Sequence, residues 1–428
     1  MRWLWAAAIG GLAVLLVAVV MGLTTDRSEL TVAEPVGATS DFEDLAPPDP
    51  TQPPVTQAEP TQPPATQPEE TAPTPVEPTV PPATDAEFEA VVDDIVAFVE
   101  AERGLVFMER PVVLALDAAE FLERFNALVR EDAEEYAEEY ENYSGIYHAL
   151  GLLAPDVDLI EAQEALGSGG VLGYYDSDTK ELVVRGAETT PLVRSTIAHE
   201  LTHALDDQYF VLDRPEYDDA DDEIGFGFRA LVEGNARRID AAYEAQFTPA
   251  ERAELIAEQN RLSLGLDFSV VSFEYLELVL APYEDGQRLV NDLLRDGQQA
   301  LDDAFLDPFR TSEQVLDPDR RTEPRLEVAP PPADGEIAED GVVGQLVIDI
   351  MLTAEIGSTQ ANQAAEGWGG DWFVSWDEGG VTCVRVDVAG DTATDTDELE
   401  GAFTQWATRR PDATVERFAE LVRVTTCG

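Results

Sequence analysis

Positive charge is the first thing this chain lacks. Of its 428 residues only 26 are lysine or arginine, against 87 aspartates and glutamates, for a formal net charge of −61. Lys180 is the single lysine. A surface this acidic repels phosphate backbones and anionic head groups, so nucleic acid is excluded as an expected partner. High-salt adaptation, in which screening relieves the self-repulsion, accounts for the imbalance. Arginine-biased codons in an acidic secreted proteome account for it equally well, and no mechanism follows from either. Cysteine is scarce too. Cys383 and Cys427 are too few and too far apart for a thiolate metal cluster. Outside the cytoplasm they could close one disulfide; two free thiols are the alternative. Histidine occurs three times, as His148, His199 and His203. Apolar residues are not lacking, and 44% hydrophobic content is ample for a large core.

The apolar residues are unevenly spread. After Arg2 an apolar run extends from Trp3 to Leu23, matching the ~20 residues of a bilayer-spanning helix. The run ends without a small-residue cleavage pattern, which favours an uncleaved anchor over residues 1–30. Cleavage would instead make the protein secreted, and either way the rest of the chain is expected outside the cytoplasm. Residues 31–84 are rich in Pro, Thr, Gln and Glu, with near-copies "TQPPVTQ" and "TQPPATQ". Such a segment cannot bury a core and reads as a disordered, extended stalk.

Residues 85–428 carry the folded part, of class α+β. Apolar positions through 86–102 predict an amphipathic helix, and 105–116 reads as a strand. A long acidic helix is expected from Ala118 to Glu141, with its carboxylates forming a solvated face. "VLGYYDSDTKELVVR", residues 171–185, predicts a hairpin, and a strand pair is expected around the two cysteines.

One segment carries chemistry. Thr190-Pro191 opens a helix with a capping hydroxyl and a proline in the first turn. On that helix His199 and His203 stand four residues apart, so both imidazoles leave one face and can share a metal. Glu200 beside them can take a proton from a metal-activated water. Two histidines on a half-exposed helix face are the plainer reading, set aside because hairpin, cap and motif coincide. A catalytic zinc takes three protein ligands and keeps one open position. Asp206 and Tyr209 stand where the longer metzincin pattern needs glycine and a third histidine, and His148 lies upstream. A carboxylate on a later helix should therefore complete the set, and Glu233 in "FRALVEGNA" is the candidate. Gly234 costs that helix about 1 kcal/mol relative to alanine, which makes sense if another helix crosses closely there.

"HELTHALDD" is similar to the active-site helix of thermolysin-type enzymes, and "VEGNA" resembles the segment carrying the third ligand in gluzincin peptidases. The resemblance implies a zincin-like domain with one zinc on His199, His203 and Glu233, and Glu200 as general base. More widely, "LGLLAPDVDL", "ALVEGNA", "TSEQVLDP" and "GWGGD" resemble a largely uncharacterised family of exported bacterial gluzincin-like proteins. Asn235 departs from that pattern where an acidic residue is common, as does Trp372 after Gly-Gly-Asp. The expected function is zinc-dependent hydrolysis of a protein or peptide substrate by a membrane-anchored, extracytoplasmic enzyme. Gluzincins use a Tyr or His to stabilise the oxyanion, and Tyr174, Tyr175, Tyr283 and His148 are the candidates. Leu182-Val183-Val184 could offer an edge strand to an extended substrate. Asp207, one turn beyond His203, reads as a residue that orients a ligand or as an exposed helix-end acid. Glu313 reads as a loop cap and Asp371 as a turn residue. The rival expectation is a non-catalytic surface protein whose zinc is structural or lost.

Overall fold

A computed structural model describes residues 12–14 and 85–428, except 187, 219 and 221. Nearly all of the expected anchor and the whole expected stalk to residue 84 lie outside the described residues. Among the described residues no helix is long and apolar enough to cross a membrane.

Strands β1 (Leu12–Val14), β2 (Val112–Leu116), β3 (Val171–Asp176) and β4 (Glu181–Arg185) form one sheet in the order β1-β3-β4-β2. The expected hairpin is β3–β4, closed by the Asp176 carboxylate accepting from the Asp178 and Thr179 amides. β2 runs parallel to β4. Leu182–Val184 is therefore flanked on both sides and offers no edge. Its ladder is filled, and the outer side of β3 carries Leu12–Val14 antiparallel instead. The strand expected over 105–116 begins only at Val112. Gly104 turns left-handed after helix α1 (Asp85–Arg103), and the residues up to Pro111 form a loop.

The acidic helix is two helices, α2 (Ala118–Glu135) and α3 (Ala137–Leu150), broken at Tyr136. Tyr136 leaves helical geometry at φ −114° and ψ 35°, while Phe121, Phe125 and Val129 of α2 and Tyr140, Tyr143 and Tyr147 of α3 all sink into the main core. After α4 (Leu159–Gly170) and the hairpin comes α5 (Pro191–Phe210), the motif helix. Thr190 caps it, accepting from the Val193 amide. Sixteen of its residues are buried, so its pattern is that of a core helix rather than a one-sided surface helix. Phe88, Val92, Ile95 and Val99 of α1 pack with Ile197, Leu201 and Leu205 of α5 and with Tyr175 and Val184 of the sheet. Each such side chain contributes ~2 kcal/mol, an upper bound for a chain that is partly compact when unfolded.

Beyond a short turn of helix, α6 (Pro215–Asp218), comes α7 (Ile224–Glu244), then α8 (Pro249–Ser263) and α9 (Phe273–Leu293). α7 packs on both α5 and α9. The close crossing expected at Gly234 is present: a Cβ there would lie 2.1 Å from the Gly286 carbonyl carbon of α9.

Helices α10 (Gln298–Leu306) and α11 (Ser312–Leu316) lead into a second, antiparallel sheet. Its order is β5-β6-β7-β9-β8, from β5 (Ile337–Gly341), β6 (Trp368–Asp377), β7 (Thr382–Gly390), β8 (Thr414–Phe418) and β9 (Leu421–Cys427). Helices α12 (Gly344–Ile356), α13 (Ser358–Ala365) and α14 (Ala393–Ala407) accompany it. Cys383 faces Cys427 across β7 and β9, and the two are joined as a disulfide.

Glu313 and Asp371 take other roles than those expected. Asp371 is a buried strand residue: Oδ1 accepts from the Val343 amide at 2.7 Å, while Oδ2 accepts from Gly344 and from Trp368 Nε1. It thereby satisfies amides at the start of α12. Glu313 pairs with Arg320 at 2.9 Å, while Thr311 supplies the cap of α11. Beside Asp371, buried Glu223 at the start of α7 accepts from the Ser312 amide. "TSEQVLDP" and "GWGGD" are thus two walls of one buried carboxylate node.

That node makes stability depend on pH. Burial first, then the neighbouring Asp371, raises Glu223 to about 8, against the opposing pull of the Ser312 amide and Arg325. Because the folded value exceeds the unfolded one, the contribution is complete below about pH 4.5 and is lost as pH rises through about 8. Glu223→Gln keeps an acceptor for Ser312 and removes the titration. The difference in unfolding free energy between parent and variant should shift by on the order of 3–5 kcal/mol between pH 5 and 9, in favour of the variant at the alkaline end. Denaturant unfolding of both across that range checks it, and parallel curves would contradict it.

Candidate metal centre

α5 and α7 bring four carboxylate and imidazole side chains to one buried point. His199, Glu200, His203 and Glu233 are each at most 1% exposed. His199 Nε2 lies 3.3 Å from Glu233 Oε2, and His203 Nε2 lies 3.3 Å from the same oxygen. The second contact lacks hydrogen-bond alignment, and neither ring nitrogen of His203 has a hydrogen-bond partner among the described residues. Buried polar atoms are ordinarily paired, so an unpartnered His203 Nε2 facing the Glu233 carboxylate fits a shared cation. The ligand atoms of His199, His203 and Glu233 all fall within 4.8 Å of one another. Two imidazoles and one carboxylate are a donor set that suits zinc, with a position left for water. A second cluster, Glu378 with Cys383 and Cys427, does not suit a metal because its sulfurs are bonded to each other.

In the metal-free protein the electrostatics are polarised. Burial lowers His199, but hydrogen bonds to Asp240 and Glu233 outweigh it and raise the imidazole to about 10. Burial raises Glu233, yet His203 and His199 together hold it down at about 2. Glu200 moves the other way. Burial pushes it well above the usual carboxylate range, offset in part by His199 and the Tyr175 amide. Neither of its oxygens makes a hydrogen bond of normal geometry. Glu200 is thus a desolvated carboxyl, raised above its ordinary range, beside the three candidate ligands.

Small residues make room for this arrangement. Gly173 of β3 faces the motif helix: a Cβ there would sit 2.7 Å from Thr196 Cγ2 and 3.3 Å from Glu200 Cγ. On the far side of the cluster the Tyr283 ring of α9 stacks on His199, centroids 6.1 Å apart. Tyr283 is the one of the four aromatic and histidine candidates that adjoins the ligands. Tyr174 points to the opposite face of the sheet, packed on Phe121. Tyr175 donates to Asp207 at 2.8 Å, and His148 contacts the Val157 carbonyl at 2.7 Å. Asp207 is not an exposed helix-end acid, nor does it touch a ligand: it takes Tyr175, Lys180 and the Leu212 amide.

Two supporting interactions were not read from sequence. Asp240 accepts from His199 Nδ1 at 2.8 Å. It follows Glu233 by seven residues, two turns along the same face of α7, and that spacing is the signal that could have identified it. Asn235 donates to Asp206 at 2.6 Å, and Asp206 also accepts from buried Arg103 at 2.6 Å. The Asn235 amide gives Asp206 a second donor, where an ionised carboxylate would meet it as a like charge.

Comparison with known protein families, with characterised proteins and with solved structures finds no match for this chain. The geometry of the site carries the functional argument alone.

Proposed function

We propose that the chain is a zinc-dependent peptidase acting outside the cytoplasm, with zinc held by His199, His203 and Glu233. The observation that carries this reading is the convergence of those three ligand atoms within 4.8 Å in a buried site, with the unpaired Glu200 carboxylate alongside. When bound, zinc supplies the positive charge that polarises a carbonyl and acidifies a water. The chain's own groups do the rest. Glu200 accepts the proton of the attacking water and returns it to the departing amine nitrogen. The Cys383–Cys427 disulfide supports an oxidising compartment.

A structural zinc site would need a fourth protein ligand, and among the described residues no fourth His, Cys, Asp or Glu joins the cluster. Glu200 would also be superfluous in such a site. The purified protein should hold about one zinc per chain, and chelation should abolish hydrolysis of an unfolded protein substrate, with zinc restoring it. Glu233→Ala should retain little zinc. A well-folded parent that takes up no zinc would leave the non-catalytic reading in its place.

A further inference from the structure

The two histidines of the cluster are supported very unequally. His203 has no hydrogen bond to either ring nitrogen among the described residues, whereas His199 is held by a chain of buried polar groups. Its Nδ1 donates to Asp240 Oδ2 at 2.8 Å, since a carboxylate oxygen can only accept. The other oxygen of Asp240 takes Arg237 Nη1. The same guanidinium nitrogen lies 3.6 Å from Glu244 Oε1, and that oxygen accepts from Ser195 Oγ at 2.7 Å. Ser195 sits one turn before His199 on α5, so the chain leaves α5, crosses α7 through three side chains and returns to α5.

Charge explains why an arginine is needed. Asp240 is 0% exposed and shares its surroundings with Glu200 and Glu233. A buried carboxylate among other carboxylates needs a paired cation. Arg237, 7% exposed, is the cation that meets it. Lysine would carry the same charge on a flexible ammonium, without the rigid planar guanidinium that sets one Nη between Asp240 and Glu244.

We propose that Arg237 is a positioning residue of the metal site, fixing the Asp240 carboxylate against His199 Nδ1 so that His199 Nε2 is presented to zinc and zinc is held more tightly. This rests on the three-ligand reading above. Carboxylates behind metal-bound imidazoles typically change metal affinity by about 10–100-fold when disturbed.

The test is chelator competition for zinc on the full chain in four forms: parent, Arg237→Met, Arg237→Lys and Arg194→Met. Arg194 is a second half-buried arginine of the same region, but it pairs with Glu251 outside this chain of groups. Arg237→Met should bind zinc about 10–100-fold more weakly, Arg237→Lys should fall between it and the parent, and Arg194→Met should match the parent. In the zinc-loaded protein the His199 Nδ1–H proton resonance, assignable because the chain has three histidines, should move upfield in Arg237→Met and not in Arg194→Met. If Arg237→Met lowers only the melting temperature, with affinity and resonance unchanged, Arg237 is merely structural and the proposal is overturned. Should the methionine variant not fold, parent-like affinity in Arg237→Lys overturns it. A parent that binds no zinc fails the three-ligand reading itself and takes this inference with it, an outcome distinguishable because it appears before any substitution.

Discussion

Glu200→Gln is expected to keep about one zinc per chain and to lose peptide hydrolysis by about 10²–10⁴-fold. The proposed ligand atoms belong to His199, His203 and Glu233, so the substitution leaves all three in place. Glutamine has nearly the same volume and fits the space behind Gly173, but an amide cannot take a proton from water. A second, opposite effect should accompany the loss. Glu200 is buried, held well above its ordinary pKa by desolvation, and without a side-chain hydrogen bond. Its ionised form therefore weakens the metal-free fold at neutral pH, and removing the charge should raise the melting temperature of the metal-free protein. Loss of activity with gain of stability is the signature of a group kept for chemistry rather than for folding. Zinc analysis, a hydrolysis assay and metal-free thermal unfolding on one preparation test all three. Parent-level hydrolysis by the variant would remove Glu200 from the mechanism.

Gly234→Ala is expected to be among the most damaging single-methyl changes in the protein. Alanine ordinarily stabilises a helix interior by about 1 kcal/mol over glycine. At Gly234 the added Cβ would stand 2.1 Å from the carbonyl carbon and 2.2 Å from the carbonyl oxygen of Gly286. Both are backbone atoms of a packed helix, so no rotamer change relieves the overlap. Gly286 is equally constrained, its own Cβ position lying 2.1 Å from the Ala230 carbonyl oxygen. α7 and α9 must therefore separate, at a net cost on the order of 3 kcal/mol. Because Glu233 adjoins Gly234, zinc binding should weaken together with stability. Gly401 is the control: it lies inside α14 with nothing within 4 Å of its Cβ position. Gly401→Ala should stabilise by roughly 0.5–1 kcal/mol. Denaturant unfolding of the pair separates the two cases, and a neutral Gly234→Ala would mean that the crossing is looser than these distances.

What could be read in the sequence was what local chemistry dictates. Thr190-Pro191 starts the motif helix because a hydroxyl satisfies its first free amides and proline has none to lose. The i, i+4 spacing of His199 and His203 puts both rings on one face whatever surrounds them. Gly234 betrayed a helix crossing because its intrinsic cost needed a reason. The Asp176–Lys180 turn marked the β3–β4 hairpin through its own side-chain hydrogen bonds. Tertiary structure alone decided the rest. That 118–141 is two helices rather than one shows only in the non-helical backbone of Tyr136, since the buried spacing from Phe121 to Tyr147 continues across it. Leu182–Val184 has the composition of an edge strand, yet only the parallel pairing of β2 from far upstream makes it interior. Glu313, Asp371, Asp207 and Asp240 read alike as acidic residues. Their partners come from elements far apart in the chain or a turn or two away, and long-range packing chooses which carboxylate meets an amide, a lysine or an imidazole. Spacing along a helix names the candidate ligands, but the different environments of Glu233, Glu200 and Asp240 exist only once α5, α7 and α9 have closed around them.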